Sequence, residues 1–77
     1  MNAADRQEFL KILMAHAQTI AICEACATTT RDLAAEVKRG GVPHQPDLKQ
    51  TIDTAERVLE DLARTREEVE RLIATLR

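Results

Sequence analysis

Aromatic residues are almost absent: Phe9 stands alone among 77 residues, with no Trp and no Tyr. Stacking on nucleic-acid bases therefore has almost nothing to use. No charge of one sign dominates either. Eleven basic residues are interleaved with 13 acidic ones for a net charge of −2, so no basic surface draws a nucleic acid or an anionic membrane. Two cysteines can close one bridge at most, which excludes a disulfide scaffold and suits a reducing cytoplasm. The two glycines are adjacent, so there is no glycine-rich phosphate loop. No acid/base pair and no nucleophile with its base can be assembled from the pattern, which predicts a protein that is not an enzyme and holds no cofactor.

The start of the chain, MNAADRQEF, is polar and lacks the basic and then apolar order of a signal sequence. Between Lys11 and Arg31 only Glu24 is charged, as in a membrane span. His16, Gln18, Glu24 and four threonines in that stretch argue against lipid, so no membrane partner is expected.

What is present is helix. Asn2 with Asp5 resembles a capping box, and no Pro or Gly follows until Gly40-Gly41, a helix stop. Pro46 and Asp47 suit the first turn of a second helix. The sequence thus predicts a helix over about 3–39, a loop over about 40–45 and a helix over about 46–76, in one domain. In the second helix Leu48, Ile52, Ala55, Leu59, Leu62, Arg66, Val69, Ile73 and Leu76 alternate steps of four and three, the heptad seam of a helix beside a nearly parallel neighbour. The same rhythm in the first helix gives Phe9, Leu13, His16, Ile20, Cys23, Ala27, Thr30, Ala34 and Val37. Folded back on each other, the two series match layer by layer from Val37–Leu48 to Phe9–Leu76. The expected fold is all-α: an antiparallel two-helix hairpin that completes a helical bundle with a partner chain or a second copy.

The first helix holds more apolar residues than one seam uses. Leu10, Ile12, Met14, Ala17, Ala21, Ile22, Cys26 and Leu33 fall beside or behind it and form the expected partner-binding surface. Covering four or five side chains of Leu or Ile size contributes on the order of 1.5–3 kcal/mol each. An isolated hairpin is therefore expected to be poorly soluble, molten or self-associated. The second helix has a solvated back, where Arg57, Arg64 and Arg71 follow Asp53, Glu60 and Glu67 by four residues.

Three polar residues fall in or near the seam: His16, Glu24 and Arg66. A Glu24–Arg66 pair fixing the helix register is the expected arrangement. Cys23-x-x-Cys26 with His16 offers three metal ligands at best where zinc wants four, so no metal site is expected and the cysteines read as small buried residues. A metal- or thiol-handling bundle built on these three residues is the third-ranked reading of the chain.

The run Arg39-Gly40-Gly41-Val42-Pro43-His44-Gln45, then Leu48 and Ala55-Glu56-Arg57-Val58-Leu59, resembles the small co-chaperones of type III secretion needle subunits. The resemblance covers the loop and two turns of the second helix. It implies a helical hairpin that packs on a tetratricopeptide-like chaperone and helps keep the needle subunit from polymerising. From the residues themselves the expected function is a non-catalytic adaptor, co-chaperone or inhibitor that docks its apolar first helix on another protein. The alternative is a phage- or mobile-element regulator acting as a homodimeric four-helix bundle.

Overall fold

In a computed structural model the chain is described over residues 1–41 and 48–77. Two helices, α1 (Ala3–Arg39) and α2 (Leu48–Leu76), lie side by side, and no strand occurs among the described residues. The expected connection at Val42–Gln45 and the expected helix start at Pro46 and Asp47 lie outside the described residues.

The ends of α1 have specific causes. The Asn2 side chain accepts a hydrogen bond from the Asp5 backbone N–H at 2.8 Å, which satisfies one of the first-turn donors. At the other end the Gly40 N–H reaches Glu36 O at 3.0 Å, and the Gly41 N–H reaches Lys38 O at 3.2 Å. Gly41 has φ 66°, where a side chain would strain the backbone even though a Cβ would meet no neighbouring atom. Lys38 and Arg39 occupy the last turn, opposite in sign to the negative end of the helix dipole.

The hairpin is a rod of 60 × 15 × 14 Å with a radius of gyration of 17.6 Å, where a compact domain of this length has about 11.5 Å. Such a shape buries little. Among the described residues only Leu13, Ile20, Ala34 and Ala55 are buried, and none of their side chains is fully enclosed. Leu48, Ile52, Leu59, Leu62, Val69, Ile73 and Leu76 of α2 are half-buried against α1, as the heptad reading requires.

The first helix is turned relative to its expected orientation. Leu13, Ile20, Ala27 and Ala34 do point inward, but His16, Cys23 and Thr30 are exposed. Their places in the seam are taken by the next residues along, Ala17, Glu24 and Arg31, and Leu10 replaces the more exposed Phe9. The seam is thus displaced by about 50°, half of one residue step on a helix. Glu24 and Arg31 look like outward residues in the sequence. Inside the hairpin Glu24 has a cationic partner, while Arg31 lays its stem along the seam and bonds Asp32 at 3.1 Å.

Candidate functional site: the uncharged face of the hairpin

Turning α1 by that half step divides the hairpin into two broad faces of unlike chemistry. One face is built from the residues one before and three after each inward position of α1. The former are Ile12, Thr19, Cys26 and Leu33; the latter are His16, Cys23, Thr30 and Val37, with Phe9 a turn earlier. In α2 the inner row of the same face is Thr51, Val58, Thr65 and Leu72. Both helices contribute because an open groove of about 540 Å³ runs between them there, lined by Ala27 and Thr30 on one side and by Thr51, Thr54, Ala55 and Val58 on the other. None of these side chains is a carboxylate, an ammonium or a guanidinium. Asp61 and Glu68 mark the outer margin on α2.

The opposite face carries Lys49, Glu56, Glu70 and Arg77 on α2. Its shallow hollow is lined by Met14, Ala17 and Gln18 against Glu70, Ile73, Ala74 and Arg77.

Exposure follows this division. Of the nine large apolar side chains left in solvent among the described residues, six lie on the uncharged face: Phe9, Ile12, Leu33, Val37, Val58 and Leu72, with Leu33 at 56% and Ile12 at 48%. Of the remainder, Ile22 lies behind α1 at 65% exposure, Met14 lies on the charged face and Met1 precedes the helix. Scattered exposed apolar residues are ordinary, but six gathered on one side of a small protein are the composition that interaction surfaces show.

Three threonines of this face, Thr19, Thr30 and Thr65, and Thr75 on its outer margin, donate their hydroxyls to the carbonyls of Ala15, Cys26, Asp61 and Arg71, at 3.1, 3.0, 3.0 and 2.9 Å. Each donor is satisfied within its own helix and asks nothing of a partner.

Of the eight partner-binding residues expected from the sequence, Ile12, Cys26 and Leu33 lie together on the uncharged face. Leu10 and Ala17 do not belong to any outer surface: they are half-buried toward α2, because the turned helix directs them into the seam. Met14 and Ala21 fall on the charged face and Ile22 behind it. His16 is exposed on the uncharged face rather than placed in the seam. The polar seam itself is as expected at its other two members: Arg66 Nη1 donates to Glu24 Oε2 at 2.7 Å, and Arg66 Nε lies 4.0 Å from Glu70 Oε1. On the solvated back Arg64 pairs with Asp61, three residues before it, in place of Glu60 at four.

Cys23 and Cys26 are free and exposed rather than buried. Among the described residues no three of His, Cys, Asp or Glu converge as a metal site would need. The sequence reading missed Val58 and Leu72. Their seven-residue run with Thr51 and Thr65, uncharged amid a highly charged helix, is the signal that could have found them.

By length and composition α1 also meets the measure of a membrane span. It contains an 18-residue window of mean hydropathy 1.3, of which 11% is buried within the hairpin. No protein-family model, curated protein or solved structure matches the chain.

Proposed function

We propose that this protein is a non-catalytic interaction module that works by docking its uncharged face on helices of another polypeptide chain, in a reducing compartment where Cys23 and Cys26 stay as thiols. The observation that supports this reading is the gathering of Phe9, Ile12, Leu33, Val37, Val58 and Leu72 on one side of a rod whose other side is charged. Such a surface is long, flat and ridged at helical spacing, which suits another helix lying along it. It offers no enclosed cavity lined by convergent polar groups, as a substrate would require.

A protein fits this face better than lipid does. Glu24 of α1 is held by Arg66 of α2, and the two helices run together along the rod. Carrying α1 into a bilayer would carry the many charges of α2 with it, each costing about 2.5–3.5 kcal/mol near the bilayer centre. A needle-subunit co-chaperone is one protein of this class, and much of the loop that suggests it lies outside the described residues.

The test is a capture experiment with tagged chain co-expressed with an untagged copy in host extract. Wild type should retain a partner chain, whether a copy of itself or another protein. The Ile12→Glu, Leu33→Glu double variant should lose it with helical circular dichroism intact, and Met14→Glu on the charged face should keep it. Equal capture by all three would overturn the reading. Helicity that appears only with lipid vesicles would replace it with a membrane role.

A further inference from the structure

We propose that the occupant of the uncharged face is a second copy of this chain, in an antiparallel four-helix bundle whose twofold axis passes beside Cys23. The inference rests on the docking reading and names the partner that reading leaves open.

Size along the α1 part of the face is palindromic. Large side chains stand at both ends, Phe9 and Ile12 at one and Leu33 and Val37 at the other, while the middle is small around Cys23. An isologous contact brings a surface against itself reversed, so it needs this kind of symmetry. With α1 lying antiparallel on α1 of the second copy, Phe9 meets Val37, Ile12 meets Leu33, Thr19 meets Cys26 and Cys23 meets Cys23. The paired numbers sum to 45 or 46 throughout. The one bulky residue of the inner stretch, His16, then falls beside Thr30, on the rim of the roughly 540 Å³ groove that small side chains leave between the helices.

The charge pattern agrees. Close to a twofold axis each charge meets its own like. Between Lys11 and Arg31 the only charge on α1 is Glu24, which is taken up by Arg66 of its own chain.

The area agrees as well. The chain exposes 5884 Å², whereas a compact folded protein of 8.6 kDa exposes about 4,700 Å². One broad side of the rod, 60 by 15 Å, amounts to some 900 Å², close to the ~800 Å² per partner of a stable interface. The position of the face also suits a bundle, since its α1 rows lie roughly a quarter turn from the seam with α2 and each helix of a four-helix bundle packs on two such neighbours.

Mass and cross-linking test the proposal together. Light scattering on the full chain should give a dimer mass, twice 8.6 kDa. In the Cys26→Ser variant, mild oxidation with diamide should join Cys23 to Cys23 and give a covalent dimer with unchanged helicity. In the Cys23→Ser variant the two Cys26 residues stand six positions apart along the axis, about 9 Å of helix rise, beyond the ~7 Å Cα separation that a disulfide spans, so the covalent dimer should be lost. Efficient cross-linking through Cys26 would overturn the antiparallel register. A fully helical monomer would overturn self-association. If that monomer's face still captured another protein, the docking reading would survive alone; if it captured nothing and the charged double variant behaved as wild type, both would fall.

Discussion

The two broad faces of this hairpin are made by the same two helices, from rows of residues lying on either side of one seam, yet they have opposite chemistry. On one, Ile12, Leu33, Val58 and Leu72 stand in solvent among threonines and cysteines; on the other, Lys49 and Glu56 stand toward the loop end, while Glu70 and Arg77 border the hollow that holds Met14 and Ala17. A hairpin stabilised only by its own seam has no use for that asymmetry. The charged face has the composition of a finished surface, whereas the uncharged one has the composition of a face that packs on another. With four buried residues among those described, the uncharged side represents a comparable share of the apolar material available to hold the chain together.

The difference can be broken or sharpened by substitution. The largest effect is expected from Ile12→Glu with Leu33→Glu, which would forfeit about 3–6 kcal/mol of apolar burial on association, measured as loss of complex in a sedimentation or light-scattering titration. Next is Ile20→Ala. Ile20 lies in the seam between the faces, so its loss damages both alike, at about 2–4 kcal/mol of unfolding free energy by thermal or chemical denaturation. Arg66→Ala, which leaves the half-buried Glu24 carboxylate without its partner, should cost ~1 kcal/mol in the same assay. Replacing both residues by leucine should recover that loss. Smallest of all is Met14→Glu on the charged face, which should change association and stability by less than about 0.5 kcal/mol. An effect there as large as at Leu33 would erase the distinction between the faces.

The two helices were not equally legible in the sequence. In α2 every seam position but Arg66 is apolar, and acids and arginines crowd the back, so only one orientation buries the apolar row. In α1 two heptad series share Leu13, Ile20, Ala27 and Ala34. One continues through His16, Cys23 and Thr30, the other through Ala17, Glu24 and Arg31. By hydropathy the first series is the better core, and it was the natural choice. What decides for the second is a relation between helices, the Glu24–Arg66 hydrogen bond between residues 42 apart, together with the close approach permitted by Ala17. Both are tertiary facts that periodicity does not carry. The caps at Asn2 and at Gly40-Gly41, by contrast, are local chemistry and could be read directly. The candidate surface was legible in part: Ile12, Cys26 and Leu33 could be named from α1 alone, whereas Val58 and Leu72 join them only when α2 is laid alongside.

The four threonines that return their hydroxyls to their own helix bear on how water leaves this surface. Their donors are occupied, so covering these groups costs water only the bonds it makes to their hydroxyl oxygens and strands no O–H. Association through this face should therefore show a more negative heat-capacity change than its count of threonines would indicate, with calorimetric enthalpies that fall steeply as temperature rises.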